Sequence, residues 1–266
     1  IQKFSKKICI VKYGGAAMIE ESLKNSFARD ITLMKQVGIN VAVVHGGGPQ
    51  IDKELEKSNI KRNFIDGIRV TDKETIEIVS NTLDGIINKE IVDLINKNGG
   101  NSIGVAKDKK GTISVQKLTT ENIDYGYVGE VVNVNSNYLY ELMNSNYIPV
   151  IAPLGYDSSG QIYNINADTA ASQIASHLSA EKLIFLTDTQ GVNDDKGNLI
   201  STLNSKEIKN FIASDIIRGG MLPKINASLE AVSKSVKTAH IIDGRIQHSV
   251  LLEIFTNDGI GTLVKK

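Results

Sequence analysis

The chain has 266 residues, and 30 Lys+Arg against 30 Asp+Glu leave a formal net charge of zero, which excludes a broadly basic nucleic-acid binder. A hydrophobic share of 41% with 23% charged residues excludes wholesale disorder, and the single cysteine, Cys9, excludes an internal disulfide and a cysteine-rich zinc site. No apolar run reaches the roughly 18–20 residues of a membrane helix and no signal peptide precedes the first strand-like segment, so a soluble protein of a reducing compartment is expected.

In chain order, short β-branched runs alternate with longer amphipathic stretches. The runs are Ile8–Lys12, Val41–His45, Ser102–Ala106, Ile148–Pro153, Lys182–Thr187 and His240–Asp243. Several are apolar almost throughout, as strands buried on both faces of a parallel sheet are. Pro49 suits the first turn of a helix after three glycines. Thr71-Asp72-Lys73-Glu74 reads as a capping box opening a helix with Ile76, Val79, Leu83, Ile86, Ile87, Ile91 and Leu94 on one face. Asn98-Gly99-Gly100 stops that helix. The stretches Thr112–Asn135 and Gly155–Ile165 alternate at shorter range and predict β-hairpins laid over the sheet edge. With no linker and no repeat, the expectation is a single α/β domain over residues 1–266. Helices flank an open, mostly parallel sheet, and two lobes divide near residue 180, about 1–180 and 181–266.

Three glycine strings carry chemistry. They are Lys12-Tyr13-Gly14-Gly15, His45-Gly46-Gly47-Gly48-Pro49 and Gly219-Gly220-Met221-Leu222-Pro223-Lys224. Any one Gly-Gly pair is best read as a tight turn. Placed at the carboxyl ends of strands, however, glycines free backbone N–H groups for an anion, and Lys12 and Lys224 beside them suit a phosphate clamp. Neither the P-loop nor the dinucleotide-binding glycine motif is present. Arg69, in Gly67-Ile68-Arg69-Val70-Thr71, is either a solvated charge or a bidentate fork for a carboxylate or phosphate. In Asn164-Ile165-Asn166-Ala167-Asp168, Asn166 or Asp168 either caps the following helix or serves a ligand, Asp168 by orienting lysine ammonium groups. The four histidines have no metal-ligand spacing, no nucleophile-elbow motif is present, and Cys9 reads as core.

Together with Leu186-Thr187-Asp188 and Gly191, these strings resemble the amino acid kinase family from the first strand to the C-terminus. Gly67–Thr71 and Asn164–Asp168 narrow the likeness to its branch that phosphorylates N-acetyl-L-glutamate. The resemblance implies a three-layer αβα sandwich and transfer of a phosphoryl group from MgATP to the γ-carboxylate of N-acetylglutamate. That reaction is the second step of arginine or ornithine synthesis through acetylated intermediates. By the same resemblance, Lys12 and Lys224 stabilise the moving phosphoryl group and Asp168 holds them. Gly47, Gly48, Arg69 and Asn164 bind N-acetylglutamate, Arg69 taking its α-carboxylate. Gly14, Gly15, Thr187, Asp188 and Gly191, with Ile216, Ile217 and Arg218, line the nucleotide site, where Gly15 and Gly48 offer N–H groups to phosphates. ATP enters with Mg²⁺ as cosubstrate, and no tightly bound protein metal is expected.

Physical chemistry agrees, since a carboxylate with a reference pKa of about 4.3 is ionised at neutral pH and attacks without a general base. Residues 240–262 resemble the arginine-inhibited members, which implies an arginine site with His248, Glu253 and Gly259. It also implies a homo-oligomer, a dimer or a hexameric trimer of dimers joined through an N-terminal helix of which Ile1–Phe4 is the tail. The expected location is the cytoplasm, or the plastid stroma if the Ile-, Asn- and Lys-rich composition reflects a plastid gene. A PII-type signalling partner is expected if the source is photosynthetic, and neither nucleic acid nor membrane is an expected partner. A related kinase acting on carrier-linked or acetylated aminoadipate shares the same frame. A non-catalytic amino-acid-sensing module would have no use for Lys12, Asp168 and Lys224.

Overall fold

The computed structural model describes residues 4–106, 111–120, 123–256 and 258–266, so the expectation for the N-terminal tail lies outside it except at Phe4. From the N-terminus run β1 (Ile8–Tyr13), a 3₁₀ turn at Gly15–Met18, α1 (Glu21–Gln36), β2 (Asn40–His45), α2 (Gly48–Lys57) and a small hairpin of β3 (Phe64–Ile65) and β4 (Ile68–Arg69). A helical run follows as α3 (Lys73–Asn81), a π-helical stretch at Thr82–Asn88 and α4 (Lys89–Lys97). Next come β5 (Ser102–Val105), β6 (Ile113–Thr119), β7 (Asp124–Val134), α5 (Ser136–Asn144), β8 (Ile148–Ile151), β9 (Leu154–Tyr156) and β10 (Ile162–Asn164). The rest is α6 (Ala167–His177), β11 (Lys182–Thr187), β12 (Thr202–Asn204), α7 (Ser205–Ala213), α8 (Met221–Lys234), β13 (Thr238–Asp243), α9 (Ser249–Phe255) and β14 (Thr262–Lys265).

The main sheet has the order β12-β14-β13-β11-β1-β2-β8-β5, and every neighbouring pair is parallel except β13–β14. The six runs expected from sequence are its six contiguous strands from β13 to β5. Alternation along them builds the layers. Ile10, Ala42, Val44, Leu183 and Phe185 face a core formed with α5, α6, α7 and α8. Their neighbours Val11, Val41, Val43, Ile184 and Leu186 face a second core under α1, α2, α3, α4 and α9. Successive side chains of a strand point to opposite sides, so both faces are covered. Among the described residues, no helix is long and apolar enough to cross a membrane.

Three expectations are corrected. First, the two hairpins form, as β6–β7 and β9–β10, but they do not lie flat over an edge. They pair with each other through β10–β7 and β6–β9 into a closed four-stranded barrel. Each closing contact is a single residue pair, Asn164 with Val128 and Ser114 with Tyr156, and Ile113, Val115 and Tyr163 join the core on the α6 side. Second, Asp72, not Thr71, caps α3, its carboxylate accepting the Thr75 N–H at 2.8 Å. Thr71 is buried because its backbone bridges β7, donating to Tyr125 O at 2.9 Å and accepting from Tyr127 N–H at 2.6 Å. Third, the π-helical stretch turns the apolar face. Widening a helical turn changes its phase, so Ile86 is 49% exposed while Leu83, Ile87, Ile91 and Ile95 are buried.

Candidate active site

Parallel strands bring their carboxyl ends to one edge of the sheet, where ligands of open α/β sheets bind. Lys12 stands near the end of β1, the glycines from Gly46 to Gly48 follow β2 directly, and α6 starts at the far side of the same cavity. Asn166 is the cap of α6, its Oδ1 accepting the N–H groups of Asp168 at 2.9 Å and Thr169 at 3.1 Å. This settles the alternatives left by the sequence: Asn166 caps, and Asp168 points to the lysines. Lys12 Nζ lies 3.0 Å from Asp168 Oδ1 as a close ion pair, and Lys224 Nζ donates to Oδ2 at 3.0 Å. Burial alone would push this carboxyl up, but Lys12 and Lys224 together hold it below the usual carboxylate range. Two cations around one carboxylate leave one unit of positive charge to spare. Lys224 sits in the first turns of α8, which opens at Met221, two residues before Pro223.

The glycines serve different purposes. A side chain on Gly14 would place its Cβ 2.7 Å from Lys12 Nζ, so the ammonium needs a glycine there. Gly15 adopts a φ of +70°, which favours glycine, and the next residue, Ala16, donates its N–H to Asp188 Oδ1 at 2.7 Å. Gly47 and Gly48 begin α2 with Pro49 at its second position, so the first-turn N–H groups and the positive end of the helix dipole face the cavity. A Cβ on Gly47 would lie 2.5 Å from Ile87 Cδ1 and 2.9 Å from Leu83 Cδ2. Behind this loop, fully buried His45 donates from Nδ1 to Gly46 O at 2.8 Å and accepts at Nε2 from the Asn88 amide at 3.1 Å. Burial lowers its pKa to about 4, so the ring is neutral scaffolding.

Arg69 is not a solvated charge. It is 7% exposed, lies 4.5 Å over the Phe64 ring, and donates from Nη2 to Asp52 Oδ1 at 2.6 Å. Its Nη1 is buried without a hydrogen-bond partner among the described residues. Asn164, at the end of β10, donates to Thr71 Oγ1 at 3.5 Å. Lys12, Gly14, Gly47, Arg69, Asn164 and Asp168 all line one cavity of about 240 Å³. Its remaining wall includes the apolar Leu83, Val128 and Ile165. A cationic fork, an amide, an apolar wall and a lysine pair together suit a small, elongated dianion with an apolar middle.

The residues expected at the nucleotide are spread more widely. Thr187 and Asp188 reach the same strand edge, Asp188 by its bond to Ala16. Gly191 is buried, and a Cβ there would lie 2.5 Å from Thr262 Oγ1. Ile216 is half-buried, and exposed Arg218 pairs with Asp215 at 3.2 Å. The Ile217 side chain is 2% exposed inside the core, and its N–H donates to Phe211 O at 3.1 Å.

A second cavity, of about 630 Å³, brings together Phe4, Lys182, His240, Glu253 and Gly259. His240 Nδ1 donates to Glu253 Oε1 at 2.5 Å, and Ile260 N–H donates to Oε2 at 2.7 Å. Glu253 is 7% exposed and is therefore not an ordinary solvated helix residue. Burial raises its pKa, but the His240 and Ile260 donors hold it below the usual value. Gly259 has a φ of +66°, and a Cβ there would lie 2.7 Å from Glu253 Oε2. The expectation for His248 is corrected. It stands at the N-terminal end of α9, its Nδ1 paired with the buried Asp30 at 2.6 Å and its N–H bonded to Ser26, outside this cavity. His240, the first residue of the 240–262 stretch, lines this cavity instead.

A model of the amino acid kinase family matches residues 7–243. The acetylglutamate kinase of Campylobacter curvus is 52% identical over 265 residues, covering 100% of this chain and 94% of its own length. That of Nitrosococcus oceani is 49% identical over 277 residues, covering 100% of this chain and 92% of its own. Among solved structures, N-acetylglutamate synthase from Neisseria gonorrhoeae, complexed with coenzyme A and N-acetyl-glutamate, aligns with a TM-score of 0.88. It is 22% identical over 100% of this chain, which spans 61% of that protein, and the likeness is one of fold.

Proposed function

The chain belongs to the amino acid kinase family, and we propose that it transfers the γ-phosphoryl group of ATP, bound with Mg²⁺, to the γ-carboxylate of N-acetyl-L-glutamate. A carboxylate oxygen forms the new P–O bond, the bond to the bridging oxygen breaks, and ADP leaves with that electron pair. The product is an acyl phosphate, as the acetylated route to arginine or ornithine requires. The observation that carries the reading is Asp168 gripping Lys12 and Lys224 at 3.0 Å each in a cavity that Arg69 also lines.

Both reactants are anions, so the barrier is dominated by charge and positioning. Lys12 and Lys224 lower it where charge spreads over the transferring group, while Asp168 keeps their ammonium groups from drifting apart. The α2 N-terminus and the Gly14–Gly15 loop add oriented amides. Arg69 and Asn164 grip the unreactive part of the substrate, and the Leu83, Val128 and Ile165 wall suits its acetyl and methylene groups. Thr187, Asp188 and the backbone near Ile216–Arg218 serve the nucleotide. The test is ADP release with N-acetylglutamate, glutamate, aspartate and acetylaminoadipate. Turnover with N-acetylglutamate alone supports the reading, faster turnover with acetylaminoadipate replaces its substrate, and no ADP release with any acceptor overturns it.

The reading extends to regulation. Arginine binds in the cavity of Lys182, His240, Glu253 and Gly259, its guanidinium meeting the buried Glu253 carboxylate. Linkage then requires acetylglutamate to weaken arginine binding by the factor by which arginine weakens its own. Calorimetric titration of arginine with and without acetylglutamate measures that factor, and equal affinities remove the coupling. The exposed Ile86 suits a contact with a second copy, which a change in solution mass on Ile86→Lys tests. The soluble, charged reactants fit the cytoplasm or a plastid stroma.

A further inference from the structure

A guanidinium carries five donors and no acceptor, and Arg69 is buried in a cavity wall with few partners. One face is covered by Phe64, Nη2 is held by Asp52, and Nη1 is left without a partner among the described residues. We infer that Asp52 is a positioning residue that fixes Arg69 for the substrate's α-carboxylate and couples it to the amide end of α2. This rests on the proposed reading of Arg69 as the carboxylate partner.

Asp52 lies four residues after Gly48, so both lie on one face of α2. The same helix therefore offers first-turn amides to the cavity and, one turn on, an acceptor to the arginine that faces it from β4. Phe64 and Asp52 fix the plane of the guanidinium, one by stacking and one by an ionic bond at 2.6 Å. The other Asp52 oxygen meets Arg62 Nη1 at 3.3 Å, but the Arg62 side chain is 70% exposed and competes weakly. Without Asp52, the guanidinium keeps its charge and loses its direction. A misdirected fork weakens binding of the unreactive carboxylate and leaves the phosphoryl-transfer step as it was.

The test is steady-state kinetics on the intact enzyme, with thermal midpoints confirming that each variant folds. Asp52→Ala should raise the KM for N-acetylglutamate about tenfold, with kcat and the KM for ATP within about twofold of wild type. Asp52→Asn keeps the acceptor and should raise it only about threefold. In an Arg69→Lys background, Asp52→Ala should add little, because the fork it orients is gone. An unchanged acetylglutamate KM in both Asp52 variants, with a raised KM in Arg69→Lys, overturns the inference alone. Full additivity with Arg69→Lys, or an equal rise in the KM for ATP, overturns it as well. An unchanged KM in Arg69→Lys itself overturns the assignment of Arg69 and this inference with it.

Discussion

At the lysine wall of the cavity a buried carboxylate is surrounded by charge, with Lys12 and Lys224 each 3.0 Å from Asp168. At the arginine wall the roles are reversed: among the described residues one buried guanidinium has one carboxylate, Asp52 at 2.6 Å, and an unpartnered Nη1. The first arrangement has cations to spare and suits charge that appears during the reaction. The second lacks an acceptor and suits a charge that is already there. The wall that meets moving charge should control kcat, and the wall that meets fixed charge should control KM.

The largest break comes at Asp168. Asp168→Ala leaves two lysine ammonium groups facing each other in a buried wall, and a loss of about 3–5 kcal/mol is expected in urea unfolding. Stability within about 1 kcal/mol of wild type would mean that the lysines do not depend on Asp168.

Acid separates the lysine wall from the scaffold behind the glycine loop by pH window. His45, behind the glycine loop of α2, has a folded pKa near 4 against an ordinary 6.5. The unfolded chain binds the proton first, so this contribution is complete above pH 6.5 and declines as pH falls toward 4. The total is on the order of 3 kcal/mol. Asp168 has a depressed pKa, so its contribution persists to lower pH and is lost only as pH falls through its folded value, below 3.8. Unfolding free energy measured against pH should slope between 6.5 and 4 in wild type and flatten there in His45→Gln. An identical slope in the variant removes His45 as the cause.

Glycine replacements sharpen the contrast at smaller cost. Gly47→Ala drives a methyl into Ile87 and Leu83 and should lower stability by about 1–3 kcal/mol. Gly14→Ala meets only the ammonium end of Lys12, 2.7 Å away, and should cut kcat about tenfold with little change in thermal midpoint. Loss of stability without loss of kcat in Gly14→Ala would reverse that assignment.

Much of this was legible in the sequence because its causes are local. Strands covered on both faces are apolar throughout, so the six sheet strands from β13 to β5 stood out, and the lysines and glycines beside them marked the carboxyl edge. What escaped depends on distant partners. The strands β12 and β14 are three and four residues long and extend one edge of the sheet. His240 gains meaning from Glu253, thirteen residues on, and His248 loses its assigned place because Asp30 lies 218 residues before it. The π-helical stretch leaves the composition of its helix unchanged while turning Ile86 outward. Asp52 could not be singled out, since a lone aspartate on a charged helix looks solvated until Arg69 is placed against it.

The division between the two walls is tested most directly by single-turnover phosphoryl transfer with both substrates saturating. Lys224→Ala should slow the step about 10²–10³-fold, the usual cost of one transition-state donor, while Arg69→Lys should run at the wild-type rate once saturated. Equal slowing in the two variants, or an unslowed Lys224→Ala, would contradict the account.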